Sequence, residues 1–152
     1  MRRYSPFLIV PLIFLLDRLS KAHIENLIPL NGSIDYMTFF SLVHVRNYGG
    51  VFSLFSRYKY SQILFTLLPL FIVLWLVFLL IRKELSFSNK LSLLLIIGGA
   101  LGNLYDRIVK GYVIDFLDFH YRSFHWPAFN LADASVTTGV FLWIFIELRK
   151  GR

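Results

Sequence analysis

Acidic and amide side chains stand where apolar stretches of the sequence end and begin. Asp115 lies between apolar neighbours in the run 112–119. Asp133 follows Asn130 by three positions at the start of the last apolar stretch, so the two side chains share one face of a helix. Two carboxyl groups held close together cannot both ionise easily, and they therefore share a proton. Such a pair can activate a water molecule and protonate a leaving amine, as peptide-bond hydrolysis requires.

A second polar group closes the third apolar stretch. Asn103 and Arg107 are four positions apart on one helical face, where they could position the carboxylates and a scissile carbonyl. Asp106 competes with Asp115 as the partner of Asp133, and the residue pattern alone leaves both alternatives open. Simpler interpretations also exist, since the start of the fourth stretch suits helix capping and Arg107 suits a helix end at the lipid headgroups.

The first apolar stretch contains Asp17 and Lys21, four positions apart. Their simplest interpretation is an ion pair that allows an apolar helix to carry both charges. Other catalytic chemistry has little support. The chain has no cysteine, its serines have no evident His–Asp partnership, and its four histidines lack the spacing of metal ligands. We therefore expect neither a metal nor any other cofactor.

Composition points to a membrane. The 152 residues suffice for one domain, and 57% are hydrophobic while only 16% are charged. A soluble domain has about 25% charged residues, so a bilayer must cover part of this surface. The net charge of +7 comes from basic residues beside apolar runs, which favours anionic lipid headgroups over nucleic acid.

Four apolar stretches have roughly the ~20 residues that a membrane-spanning helix needs. We predict an all-α membrane protein, a four-helix transmembrane bundle forming a single integral domain over residues 1–152. The first stretch could instead be a cleaved signal peptide, but no small-x-small cleavage site follows it. The predicted spans are about 6–24, 61–81, 91–107 and 130–148.

Basic density predicts the orientation. The shortest connection and both chain ends are rich in Lys and Arg, which places them and both termini in the cytoplasm. Because the third and fourth spans run in opposite directions, the polar residues at their ends should meet near the outer membrane face. The basic residues concerned are Arg2, Arg3, Arg82, Lys83, Lys90, Arg149, Lys150 and Arg152.

The first long loop, which this orientation places outside, is predicted to contain a small β-hairpin. Residues 36–40 and 42–45 are rich in aromatic and β-branched side chains, residues 47–50 supply turn chemistry, and residues 51–55 continue the pattern. The aromatic content suggests that the hairpin rests on the membrane surface.

Five ordered blocks resemble those of bacterial lipoprotein signal peptidase, also called signal peptidase II. Together they extend over most of the chain. One departure is Val51, where the family pattern usually has alanine. The blocks are D-x-x-[ST]-K at 17–21, N-x-G-x-A-F-S at 47–53, G-G-A-x-G-N-x-x-D-R at 98–107, G-x-V-x-D-F at 111–116 and P-x-F-N-x-A-D at 127–133.

The resemblance implies an aspartic endopeptidase of the bacterial inner membrane, with an outer β-cradle. Its members remove signal peptides from diacylglyceryl-modified prolipoproteins, cutting before the lipidated cysteine. Asp115 and Asp133 would be the catalytic dyad. We expect Asp106 to matter for folding or site architecture through Arg107 and its neighbours. The expected partners are this substrate and membrane lipids, and the protein is expected to be a monomer. Substrate-binding or supporting roles would fall to Asn47, Gly49, Asn103, Arg107, Asn130, Asp17 and Lys21.

Two other functions fit part of the pattern. A small proton- or ion-coupled carrier could use Asp17, Asp115 and Asp133 as a relay. Carriers place charges near the bilayer midplane, however, and the central parts of the second and fourth spans have none. A non-catalytic membrane subunit would predict that no single aspartate is essential.

Overall fold

The computed structural model describes residues 5–49 and 61–150. The predicted continuation of the hairpin over 51–55, the Val51 departure and the basic residues Arg2, Arg3 and Arg152 lie outside this part of the chain. A short 3₁₀ helix, Ser5–Leu8, leads into the first α-helix. The α-helices of the described part are α1 (Ile9–Leu27), α2 (Ser61–Arg82), α3 (Phe87–Lys110) and α4 (Leu131–Lys150).

Two helices extend beyond the membrane spans predicted within them. The third predicted span is about 91–107, and α3 begins before it, at Phe87, because Ser86 caps the helix, with its Oγ accepting a hydrogen bond from the Asn89 N–H at 3.3 Å. It continues to Lys110 and ends at Gly111, whose φ of 77° forms a left-handed C-cap. The first was expected over 6–24, whereas α1 runs three residues further, to Leu27.

Three of these helices are long and apolar enough to cross a membrane: Ile63–Arg82 within α2, and the whole of α3 and α4. Large side chains of α2, such as Phe71 and Trp75, are more than half exposed, as lipid-facing residues are. Helix α1 does not meet the same criterion, because Asp17, Arg18, Lys21 and Glu25 fall within its 19 residues. A fourth span therefore remains a prediction.

Helix α3 lies in the centre of the bundle, and its glycines set the helix separations. A Cβ on Gly99 would lie 2.3 Å from the Ala132 carbonyl oxygen of α4, and one on Gly102 would lie 2.6 Å from Asp17 Oδ2 of α1. Only glycine, which has no Cβ, permits an approach this close at either position. On its other side α3 packs against α2, and their shared apolar core contains Val73, Leu76, Leu93 and Ile97.

An antiparallel sheet joins the helices at the end of the bundle where α3 ends and α4 begins. Its strands are β1 (Ser33–Met37), β2 (Phe40–Asn47), β3 (Val113–Tyr121) and β4 (Phe124–His125), in the order β1-β2-β3-β4. An antiparallel hairpin is present in the first long loop, with β1 and β2 joined at residues 38–39, while the turn chemistry predicted at 47–50 leads into residues outside the described part of the chain. Strand β3 lies between the third and fourth predicted spans, where the sequence analysis predicts no strand.

Strand β3 lies between α3 and α4 and brings Asp115 to the start of α4. Val113, Ile114, Asp115 and Phe116 are all buried, so the strand lacks the alternation of apolar and polar residues that marks a half-exposed strand. One face packs against the end of α1, where Ile114 and Phe116 meet two isoleucines of that helix end. The other face, which includes Asp115, turns toward the start of α4.

Candidate active site

Asp115 is held by amide groups from two other parts of the chain. Its side chain is 4% exposed. Oδ1 accepts a hydrogen bond from Asn130 Nδ2 at 2.7 Å, and Oδ2 accepts one from Asn47 Nδ2 at 2.9 Å. Asn47 is oriented in turn by the Gly49 N–H, which donates to Asn47 Oδ1 at 3.0 Å. Asn47, Gly49 and Asn130 thus fix one predicted catalytic carboxyl group.

The surroundings of Asp115 favour its protonated form. Burial and, secondarily, the negative charge of Asp133 raise the pKa of Asp115 to about 7. The hydrogen bonds from Asn47 and Asn130 and the charge of Lys21 act in the opposite direction but are weaker. A carboxyl group with a pKa near 7 can exchange protons at neutral pH, as a general acid or base must.

Asp133 lies in the first turn of α4 and forms a reciprocal cap with Asn130. The Asp133 N–H donates to Asn130 Oδ1 at 2.9 Å, and the Asn130 N–H donates to Asp133 Oδ2 at 3.3 Å. Asp133 Oδ1 accepts a third hydrogen bond, from Asn103 Nδ2 at 2.7 Å. The capping interpretation is therefore right, and it is compatible with a site role because Asn130 also binds Asp115.

Lys21 connects this site to α1. Its fully buried Nζ lies 2.7 Å from Asp17 Oδ2, 2.8 Å from Asp106 Oδ2 and 2.9 Å from Asn103 Oδ1. Lysine can only donate, so Asn103 must present its oxygen to Lys21 and its Nδ2 to Asp133. The predicted ion pair is confirmed, and it also sets the orientation of an amide that binds Asp133.

Asp17 and Asp106 complete the buried charge network. Asp17 Oδ1 accepts a hydrogen bond from the Ala132 N–H at 3.0 Å, which satisfies a free donor at the start of α4. Asp106 forms ion pairs with Lys21 and with Arg18. These direct partners belong to α1, and the charge of Asp106 also acts on Arg107, so a role of Asp106 through Arg107 and its neighbours stays a prediction. The sequence analysis did not identify Arg18 as a site residue, because no local pattern indicates that its partner is Asp106, 88 positions away.

A cavity of about 830 Å³ lies between α2, α3, α4 and the sheet. Its walls are mostly apolar, and Arg107 lies near enough to both site carboxylates to interact with their charges. Asp106 is not among the lining residues. The aromatic and proline residues of 126–129 form part of the wall, a role that no helical or strand periodicity could have indicated. The polar lining residues at one end are Asn47, Asn103, Arg107, Asp115 and Asp133.

Apolar helices that enclose two hydrogen-bonded carboxyl groups are typical of a membrane-embedded protein with a site suited to acid–base chemistry. Within residues 5–49 and 61–150 there is no group of three or more His, Cys, Asp or Glu side chains suited to a metal. Comparison with known families gives a match to signal peptidase (SPase) II over residues 9–149. The chain belongs to this family and is a peptidase.

Curated relatives and solved structures agree with this assignment. The chain is 39% identical to a lipoprotein signal peptidase of Francisella tularensis subsp. novicida (strain U112), covering 93% of this chain and 90% of the relative. It is 44% identical to that of Burkholderia ambifaria (strain MC40-6), covering 97% and 90%. A bacterial membrane enzyme solved by the in meso method at 2.3 Å superposes with a TM-score of 0.88 at 26% identity, covering 99% of this chain and 92% of the other.

Proposed function

We propose that this peptidase removes the signal peptide from diacylglyceryl-modified prolipoproteins, cutting before the lipidated cysteine, with Asp115 and Asp133 as its catalytic pair. The observation that carries the proposal is that both carboxyl groups line one cavity while their hydrogen-bond partners hold them separately. Support for the substrate class comes from the curated relatives, which are named lipoprotein signal peptidases.

In the proposed reaction the two carboxyl groups take different roles. We assign the shared proton to Asp115, whose pKa is raised to about 7, and the ionised form to Asp133, because the N-terminal end of α4 and the Asn130 N–H stabilise a carboxylate there. Asp133 accepts a proton from water as the water oxygen attacks the scissile carbonyl carbon, and Asp115 donates its proton to the carbonyl oxygen. Collapse of this tetrahedral intermediate breaks the C–N bond. The released α-amine takes the proton from Asp133. Asp115 regains its proton from the hydroxyl group of the intermediate whose oxygen becomes the carbonyl oxygen of the new carboxyl group.

Arg107 and the amides supply positioning. Asn103 and Arg107 lie one turn apart on α3 and both line the cavity, as their spacing predicted. The guanidinium of Arg107 also lies 5.7 Å from the ring centroid of Phe65 on α2. We assign Arg107 to binding a peptide carbonyl beside the scissile bond, because its charge and fixed donors suit a carbonyl oxygen that gains negative charge.

The shape of the cavity fits a substrate that is itself lipid-soluble. Beyond its polar end, the cavity continues between apolar side chains such as Ile72, Ile96, Leu104 and Val136. A signal peptide helix and acyl chains could enter by lateral diffusion and present the scissile bond to the two carboxyl groups.

The proposed orientation keeps both termini in the cytoplasm and places the site near the outer face. Support comes from the distribution of charge along the bundle. Asp115 and Asp133 lie where α3 ends and α4 begins, whereas the basic residues at the junction of α2 and α3 and at the end of α4 lie at the opposite end. A carrier is disfavoured, since the family is that of a peptidase and the acidic side chains lie near helix ends.

Cleavage of a diacylglyceryl-modified prolipoprotein by the purified protein tests this proposal. Asp115→Asn and Asp133→Asn should each abolish turnover without loss of the folded state. Asp106→Asn provides a matched control, because it removes a buried carboxylate of the same helical bundle that faces α1 instead of the cavity. Normal turnover by either of the first two variants would eliminate the proposed pair, and loss of activity by Asp106→Asn alone would point to the competing partner.

A further inference from the structure

Five polar side chains form a cluster across one face of the sheet, which we call the sheet cluster. All four strands contribute to it. Asp35 pairs in register with Ser41, Ser41 with Asp118, and His120 with His125. Among the described residues, the side-chain hydrogen bonds of these five join them to one another, and none of those bonds reaches Asp115, Asp133 or their amide partners. The sheet cluster is therefore a hydrogen-bonded group separate from that of the two catalytic carboxyl groups.

Hydrogen bonds define the sheet cluster. Ser41 Oγ donates its single proton to Asp35 Oδ1 at 2.7 Å, so it must accept from His120 Nε2, 3.1 Å away. His125 Nδ1 donates to Asp118 at 2.8 Å, and the His120 and His125 rings stack with centroids 4.8 Å apart. Each imidazole is thus connected to a carboxylate, and Asp118 is only 7% exposed.

The residues after His125 form part of the cavity wall. Residues 126–129, here called the strap, all line the cavity and lead directly into the Asn130 cap. The strap is bonded to β3 at its two ends. The Trp126 N–H donates to the Phe119 oxygen at 2.8 Å, and the Phe129 N–H donates to the Leu117 oxygen at 3.1 Å. Between these points, no backbone hydrogen bond to another described residue holds residues 127–128.

We propose that His125 and Asp118 are positioning residues that hold the strap in place as a wall of the substrate cavity and thereby determine substrate affinity. His125 immediately precedes the strap, so fixing its ring fixes the direction in which the chain enters Trp126. This inference rests on the proposed function. It assigns a role to residues that lie outside the catalytic pair and its hydrogen-bond partners.

The expected change in KM follows from the exposure of the His125 side chain. The His125 side chain is 56% exposed, so water screens its side of the pair with Asp118 and the pair contributes modestly to folding. Its loss should therefore loosen the strap without unfolding the sheet, which the backbone bonds of β3 retain. We expect KM for the lipidated substrate to rise about three- to tenfold, while kcat changes less than about twofold, because Asp115 and Asp133 keep all their hydrogen bonds.

The test compares three substitutions of His125. His125→Leu removes the donor, His125→Gln moves it further from the backbone, and His125→Asn keeps an N–H near the place of Nδ1. KM should rise in the Leu and Gln variants and return close to the unsubstituted value in the Asn variant. His23→Leu, at an exposed histidine of α1, is the matched control and should leave KM unchanged. If His125→Leu fails to fold, the comparison of KM between His125→Gln and His125→Asn tests the proposal.

A second measurement follows the strap directly. In a protein with Trp75→Phe and Trp143→Phe, only Trp126 remains to fluoresce. Its anisotropy should fall in the Leu variant and recover in the Asn variant. An unchanged KM and anisotropy in the Leu and Gln variants, a loss confined to kcat, or a failure of Asn to restore KM would overturn the inference. Absence of cleavage by the unsubstituted protein would instead reject the proposed function, and this inference with it.

Discussion

Replacing Asp115 by asparagine should make the protein more stable at alkaline pH while removing its activity. The pKa of this carboxyl group is raised from 3.8 to about 7 on folding, so the folded state binds its proton more tightly than the unfolded state. Between these two values, stability falls as the pH rises, and above about pH 7 the full cost of a buried carboxylate is present. Asparagine carries no charge and avoids that cost.

The magnitude follows from the pKa difference. About three pKa units correspond to about 4 kcal/mol at most. Asparagine keeps one acceptor oxygen for Asn47 or Asn130 but presents an amide to the other, which loses a hydrogen bond of about 1–1.5 kcal/mol. We therefore expect a net gain of about 1–3 kcal/mol above pH 7. For a chain of this size that is a rise in Tm of about 3–10 °C.

Thermal unfolding of both proteins in the same detergent, at intervals from pH 4 to pH 9, measures this gain. The difference in Tm should be largest above pH 7, decrease steadily below it, and vanish or reverse near pH 4, where Asp115 is protonated in the folded state and close to half protonated in the unfolded state. Asp35→Asn, at an exposed carboxylate of β1, should show no such rise. A Tm difference that is independent of pH, or a less stable Asp115→Asn protein at pH 8, would refute the reasoning.

Two further predictions concern the charge network and the proton on Asp115. Lys21→Met should destabilise the protein by about 3–5 kcal/mol, because it leaves Asp17 and Asp106 buried without their shared cation. It should also lower kcat at least tenfold, since Asn103 loses the contact that orients it toward Asp133; equal Tm and kcat in variant and parent would contradict this. In the unsubstituted protein, log kcat should decline with a slope near −1 above about pH 7, as Asp115 loses its proton. Steady-state cleavage rates at saturating substrate measure this decline, and a flat profile to pH 9 would exclude Asp115 as the acid.

Helical periodicity made part of the site predictable. Asn130 and Asp133 share a face because they are three positions apart, and Asn103 and Arg107 share one because they are four apart. These relations are local, so they hold once a helix forms. The same is true of the pair formed by Asp17 and Lys21. Its further contact with Asn103, 82 positions away, has no local indication.

Strand β3 could not be predicted from local sequence patterns. Residues 113–116 are buried on both faces, so they lack the alternation that predicts a strand. Their neighbours in the fold, β2 and the strap, come from other parts of the chain. The side chain of Asn47 likewise has a partner that no local pattern indicates, because it binds Asp115 as well as Gly49 at the end of β2.

The amino-acid sequence by itself determined the apolar helices, the polar residues at their ends and, through five ordered blocks, the family. It could do so because composition and helical spacing act over a few residues. Only the tertiary structure decided which groups meet. The close approach of α3 to α4 at Gly99 and the return of β3 beside Asn130 bring Asp115 and Asp133 to one cavity. Contacts between distant residues depend on the packing of whole helices and strands, and that packing has no period along the chain.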